Sequence, residues 1–335
     1  MTVRRLRLVV VAALVVAAAV VPGIVTARHR ASVRPVAASH TVGRRPRPRR
    51  VGAAGRLDLG RQPPAPAALH LVLVIEENHG FGQIIGSRSA PFVNQLAARG
   101  TLLTRYQAIT HPSLPNYVAL IAGSTLGVNS DCHACQLPAT NLVDQLQAAG
   151  ISWKAYYQGL PAPGSPVVRA GAYTKSVDPF LHFRDVSAAP ARARRVVPLS
   201  QLRADLAQGW LPRLVVIVPD LRHDMHSGTV AAGDAFLRHL YRELRAAPGI
   251  RGSLRLVVTF DEGRRDQGPG GGRVATIVAG SGVPAGVRDA TPYNHYALLR
   301  SVEQLFGLPA LRHAGDPATN TIAAVTLPRP APDTT

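Results

Sequence analysis

Apolar positions along this chain fall into two alternating patterns. Short unbroken runs, "LHLVLVIEE" (69–77), "PRLVVIVPD" (212–220), "LRLVVTFDE" (254–262) and "RVATIVAG" (273–280), have the length and β-branched content of strands buried on both faces. "TLLTRYQAI" (101–109) and "ISWKAYYQ" (151–158) read as two more. Between them lie stretches of helical period: "APFVNQLAARG" (90–100), "NYVALIAG" (116–123), "TNLVDQLQAAG" (140–150), "GDAFLRHLYRELRAAPG" (233–249) and "HYALLRSVEQLFG" (295–307). Each closes on a glycine, the residue best suited to the left-handed position that ends a helix. Strands alternating with helices over short links predict one α/β domain, a central, mostly parallel β-sheet flanked by helices.

The ends of the chain lack this alternation. "MTVRRLR" followed by "LVVVAALVVAAAVVPGIV", with "VTA" ending at Ala27, has the form of an export signal. The apolar run is nearly long enough to span a bilayer, so residues 1–27 are either a cleaved signal or an N-terminal membrane anchor. Pro22 and Gly23 near its end favour cleavage. Either way the protein is expected outside the cytoplasm, secreted or membrane-anchored. Residues 28–66, rich in Arg, Pro and Ala, read as a disordered linker, and 313–335 as a C-terminal tail, which leaves 67–312 as the folded domain.

Charge changes the picture little once it is located. The formal excess is +19, but residues 1–66 hold 13 arginines against the single acid Asp58, about two thirds of it. Only two lysines, Lys154 and Lys175, occur among 38 basic residues, which points to codon usage more than to a binding surface. No zinc finger, helix-turn-helix or aromatic-plus-basic strand accompanies the charge, which argues against a nucleic-acid partner. Cys132 and Cys135, in "DCHAC", are the only cysteines; outside the cytosol they are expected to form a local disulfide.

Chemistry gathers at the strand ends. The run 71–75 leads into Glu76-Glu77-Asn78-His79, 214–218 into Asp220, and 256–260 into Asp261-Glu262. The 101–109 run leads to Ser113, set between Pro112 and Pro115 in "THPSLPNY" (110–117). In a parallel sheet such ends meet along one edge, where open α/β folds build their sites. Carboxylates collected there repel one another unless a cation binds, so a metal site is expected. "PDLRHDMHSG" (219–228) adds Asp220, His223, Asp224 and His226, and "TPYNHYALLR" sets His295 at a helix start. "GPGGG" (268–272) is followed by no Lys-Ser/Thr and reads as a flexible turn, not a phosphate loop.

Taken in order, "VIEENHGFGQIIGSRSAPFVNQLAARG", "THPSLPNYVALIAGST", "DMHSG", "TFDEG" and "YNHYALLRSVEQLFGLP" resemble the blocks of the phosphoesterase family of the alkaline-phosphatase superfamily, which includes bacterial phospholipases C and secreted acid phosphatases. The resemblance covers about residues 68–312 and is strongest to the short exported acid phosphatases. It implies Ser113 as nucleophile and Glu77, Asn78, Ser113, Asp224, His226, Asp261, Glu262 and His295 as metal ligands; on chemical grounds His226 or His295, if not held by metal, is the expected proton donor to the leaving group. Asp220 stands where many relatives carry Asn. "DE" at 261–262 replaces the Asp-His pair of two-zinc phosphatases. Asn116 and Lys175 are candidates for binding the phosphoryl group or the substrate.

The expected cofactor is a divalent metal ion. Ligands dominated by oxygen suit Mg²⁺, Ca²⁺ or Mn²⁺, and the histidines admit Zn²⁺. The expected activity is hydrolysis of phosphomonoesters, phosphoinositides among them, through a phosphoserine. The expected partner is a phosphorylated small molecule or lipid headgroup. Phosphodiester or phospholipase C-type cleavage is the enzymatic alternative, and a silent surface-binding protein the non-enzymatic one. "HPSLPNY" lacks the arginine of the sulfatase nucleophile motif, which sets that chemistry aside.

Overall fold

The computed structural model describes residues 69–264 and 270–327; the export segment, the 28–66 linker and residues 328–335 lie outside the described residues. Eight strands form the central sheet: β1 (His70–Glu76), β2 (Thr101–Leu103), β3 (Trp153–Tyr157), β4 (Val196–Pro198), β5 (Leu214–Val218), β6 (Leu254–Phe260), β7 (Thr276–Gly280) and β8 (Val287–Asp289). Their spatial order is β8-β2-β7-β6-β1-β5-β3-β4. All neighbours pair in parallel except at β7, which runs against both β2 and β6.

The central strands carry the longest apolar runs because helices cover both of their faces. Leu71, Val72, Val74, Ile217 and Val257 are fully buried. The principal helices are α1 (Pro91–Arg99), α2 (Ser113–Ala122), α3 (Leu142–Ala148), α4 (Gln201–Ala207), α5 (Val230–Ala246) and α6 (His295–Phe306). α2 packs against α6, and α1 against α5. The Asp234 carboxylate of α5 accepts the Phe92 and Val93 amides at 3.1 and 2.8 Å, so a neighbouring helix caps α1.

The expected mostly parallel α/β fold is present, with four departures from the sequence reading. The 101–109 run is not one strand. Thr104 and Arg105 turn the chain, and Tyr106–Gln107 pairs instead with Tyr293–Asn294 in a separate two-stranded ladder. Ser113 therefore follows that short ladder and not a strand of the main sheet. α2 also starts three residues earlier than its apolar period, at Ser113, because Pro115 lies in the first turn, where its missing amide costs no intrahelical bond.

The edge strands β4 and β8 escaped the periodicity for a physical reason. Each is three residues long with one neighbour, and Pro198 is tolerated only at such an edge. Finally, the packed chain runs past the 312 boundary. Ala314, Ile322 and Val325 are buried, and the buried Arg255 guanidinium donates to the Val325 and Ser281 carbonyls at 2.6 and 2.8 Å. Among the described residues no helix is long and apolar enough to cross a membrane.

Candidate active site

Three adjacent strands converge at their carboxyl ends, and backbone bonds lock them together there. The Asp261 amide donates to the Glu76 carbonyl at 3.0 Å, and the Glu77 amide to the Asp224 carbonyl at 2.8 Å. Asn78 turns the chain sharply with a left-handed φ of 58°, a conformation that asparagine adopts more readily than most residues. That turn aims its amide at Asp261 Oδ1, 3.2 Å away.

The outcome is three buried carboxylates at neighbouring strand ends, one of which holds a serine hydroxyl. Ser113, at the first position of α2, donates from Oγ to Glu77 Oε2 at 3.0 Å, and Asn78 Nδ2 donates to the same oxygen at 3.4 Å. Asp224 Oδ1 accepts the His226 amide at 2.8 Å. Each acid thus has one oxygen held by a donor. The other oxygen in each case, Glu77 Oε1, Asp224 Oδ2 and Asp261 Oδ2, is buried with no hydrogen-bond partner.

Electrostatics follows from that arrangement. Burial is the first cause raising the Glu77, Asp224 and Asp261 carboxyls above the usual range, and mutual repulsion raises Glu77 and Asp224 further. Glu76, on the other face of β1, is also fully buried with both oxygens unpartnered, and burial raises it strongly.

Three orphaned oxygens on buried acids, with no lysine or arginine among the partners shown, are a donor set for a hard divalent cation. Among the described residues no three acid, histidine or cysteine side chains stand close enough together to hold a metal ion as they are. The fit is therefore one of donor chemistry and convergence. Glu77, Asp224 and Asp261 would supply the carboxylates and Ser113 the hydroxyl oxygen.

The remaining sequence candidates divide. Asn78 lies at the group, as above. Glu262 turns away to His111, whose Nδ1 is 2.9 Å from Glu262 Oε2, and also accepts from Asn116 Nδ2 at 3.4 Å. Asn116 is spent on the loop: its Oδ1 accepts the Ile109 and Thr110 amides, and its Nδ2 donates to the Thr110 and Pro112 carbonyls. It braces the bend before Ser113, so its amide is not available to a phosphoryl oxygen.

His295, expected as ligand or acid, is likewise closed in. Its Nε2–H donates to the Asp261 carbonyl at 2.6 Å, which leaves Nδ1 to accept from the Tyr106 hydroxyl at 3.0 Å. Burial lowers its pKa to about 4 and keeps it neutral. His226 is exposed; Nδ1 meets Ser227 Oγ at 3.0 Å, and Nε2 has no hydrogen bond. Asp220 caps its own turn, accepting from His223 Nδ1 at 2.8 Å. Lys175 sits in a short 3₁₀ turn packed against α2, with no bond to the acids shown. Cys132 and Cys135 are joined as a disulfide.

Sequence reasoning passed over His79, His111, Tyr117 and Asp131. The first two stand inside quoted motifs, beside Asn78 and Ser113. Tyr117 is one helical turn from Ser113, with its buried hydroxyl beside Glu77. Asp131 precedes the first cysteine and carries no catalytic pattern of its own.

A sheet of this order, with acids and a serine at its carboxyl edge, has the fold of the alkaline-phosphatase superfamily. A Vibrio parahaemolyticus protein of that superfamily aligns with TM-score 0.52 at 14% identity, covering 76% of this chain and 71% of that one. The phosphonate monoester hydrolase of Agrobacterium radiobacter aligns with TM-score 0.52 at 13% identity, covering 75% and 78%. Likeness at that identity is one of fold.

The chain belongs to the phosphoesterase family, whose profile matches residues 87–309, and it is a phosphoric ester hydrolase. It is 37% identical over 266 residues to the phosphatidylinositol-3-phosphatase of Mycobacterium tuberculosis, covering 79% of this chain and 85% of that one. It is 31% identical over 230 residues to the phosphate-repressible acid phosphatase of Penicillium chrysogenum, covering 65% of this chain and 55% of the fungal one.

Proposed function

We propose that this chain is an exported, metal-dependent acid phosphatase that hydrolyses phosphomonoesters, phosphoinositides among them, through a phosphoserine at Ser113. One observation carries the reading: the Ser113 hydroxyl is hydrogen-bonded at 3.0 Å to Glu77, inside a group of buried carboxylates that each keep one oxygen unpartnered. A structural serine needs no such surroundings. The names of the mycobacterial and fungal relatives support the substrate class, and the basic-then-apolar start of the sequence supports export.

A divalent cation bound by Glu77, Asp224 and Asp261 would supply charge neutralisation for the phosphoryl oxygens and make the serine oxygen more nucleophilic. The chain does the rest. Rigid loop bonds from Asn116 set the start of α2, so Ser113 Oγ is presented at a fixed point. As Oγ attacks phosphorus, its proton passes along the existing bond to Glu77 Oε2. The P–O bond to the leaving group breaks, and the leaving oxygen takes a proton from His226, the exposed imidazole at the mouth. Water then attacks the phosphoserine, giving a proton to His226; the P–Oγ bond breaks, Ser113 Oγ takes back its proton from Glu77, and phosphate leaves.

Hydrolysis of 4-nitrophenyl phosphate, compared with bis-4-nitrophenyl phosphate, tests this directly. The monoester should be the better substrate, and Ser113→Ala should lower kcat at least about 1,000-fold. Chelator should have a comparable effect, reversed by Mg²⁺, Ca²⁺, Mn²⁺ or Zn²⁺. Preference for the diester would replace monoester hydrolysis with diester cleavage; full activity in Ser113→Ala would remove the nucleophile.

A further inference from the structure

We propose that Asp131 is a positioning residue for the Ser113 nucleophile, and that the Cys132–Cys135 disulfide holds Asp131 in place. The inference rests on the nucleophile reading above and extends it to a loop that reading does not use.

A helix start leaves its first amides without partners, and a side chain at the N-cap usually supplies one. α2 cannot do this for itself, because its N-cap residue is Pro112, with no side-chain acceptor. The missing acceptor comes from 17 residues further along the chain: the Leu114 amide donates to Asp131 Oδ1 at 2.9 Å. Leu114 directly follows the serine, so this bond fixes the peptide that orients Ser113.

Asp131 itself is exposed, and among the described residues its backbone makes no hydrogen bond with other backbone groups. The loop is anchored at its other end. The His182 ring lies 3.1 Å from the Cys135 carbonyl and 3.2 Å from the Lys175 carbonyl, and the Leu137 amide donates to the His182 carbonyl at 2.8 Å. The disulfide ties Cys132, next to Asp131, to that anchored end. It thereby transmits the anchoring of Cys135 to the carboxylate that caps α2.

A small displacement of a reacting atom can cost on the order of 100-fold in rate. Asp131→Ala should therefore lower kcat on 4-nitrophenyl phosphate by about 10- to 100-fold with KM changed less than about twofold. Asp131→Asn, whose amide oxygen can accept the same bond, should recover most of the rate. The pair Cys132→Ser and Cys135→Ser should lower kcat by a similar factor and add nothing further in the Asp131→Ala background, as expected when two changes break one link.

Unchanged kcat in Asp131→Ala, or losses that multiply when the changes are combined, overturns the proposal. So does a fall in KM at constant kcat, which would mean that the carboxylate merely fills space a phosphoryl oxygen takes. If Asp131→Ala does not fold, mild reduction of the wild-type disulfide, with thermal unfolding followed in parallel, makes the same test: kcat must fall while the fold persists. A wild type active in a Ser113-dependent way but indifferent to Asp131 and the disulfide refutes this inference alone; a wild type silent on the monoester refutes the reading beneath it.

Discussion

His226 and His295 are each bonded to a site acid, His226 through its amide to Asp224 and His295 through its ring to the Asp261 carbonyl, yet their rings divide the work between them. His226 is exposed, with Nε2 open, and is suited to protonating a leaving group. Its value should depend on how much help the leaving group needs. His226→Ala should lower kcat about 100-fold on an alkyl phosphate and less than about fivefold on 4-nitrophenyl phosphate, whose leaving group departs unaided. Equal losses on both would deny it the acid role. His295 has both nitrogens spent on the Tyr106 hydroxyl and the Asp261 carbonyl. His295→Phe should act mainly on stability, leaving two buried polar groups unpaired at about 1–3 kcal/mol each. At this scale the sequence was most informative for acids and least for histidines. An acid that ends a buried strand has few places to point, whereas an imidazole at a helix start serves equally as ligand, acid or structural brace until its two nitrogens are seen to be occupied.

Elements were legible in proportion to their burial. β1, β5 and β6 are covered on both faces and wrote long apolar runs into the sequence, while the three-residue edges β4 and β8 did not. The least legible element is the glycine run expected as a flexible turn. Gly271 and Gly272 are buried and bonded: the Ala108 amide donates to the Gly272 carbonyl at 2.9 Å, and the Gly263 amide to the Gly271 carbonyl at 2.7 Å. A Cβ at Gly271 would lie 2.5 Å from the Thr110 carbonyl oxygen and 2.6 Å from Ala108 Cβ. Glycine is present for close approach to the segment leading to Ser113. Gly271→Ala should therefore cost both stability, about 1–3 kcal/mol by overpacking, and activity, measurable as a joint fall in Tm and kcat. Gly249→Ala, with open space around its Cβ but a left-handed φ of 76°, should lower Tm and spare kcat.

For the molecule as a whole, the excess of buried acid sets how stability responds to pH. Asp178 and Glu303 are raised by burial to about 7, and Glu76, Glu77, Asp224 and Asp261 are raised for the same first cause. A raised carboxyl keeps its proton in the folded state after the unfolded chain has released it. The stability it contributes is full below about pH 4 and lost as pH climbs through the folded value. His295 works in the opposite sense: its folded pKa is about 4 against an ordinary 6.5, so it subtracts stability as pH falls from 6.5 towards 4. In chelator, Tm should decline from about pH 6 to pH 8, and saturating divalent cation should remove most of that decline by compensating the acids, adding about 2.7 kcal/mol at 100 times its Kd. Asp224→Asn should raise the chelated Tm at pH 8 and abolish the cation's increment. A chelated Tm that rises across this range would contradict the assignment.

The strand that runs against its neighbours has an evolutionary reach beyond its pairing. Parallel neighbours must be joined by a crossover of a dozen or more residues that packs on the sheet, whereas opposed neighbours can be joined by a tip of almost any length. The link from Phe260 to Thr276 is of the second kind, and it opens with Asp261 and Glu262. Because the two strands oppose each other, their pairing does not depend on the length of chain between them, so the two acids keep their place at the end of β6 whatever follows them in a relative.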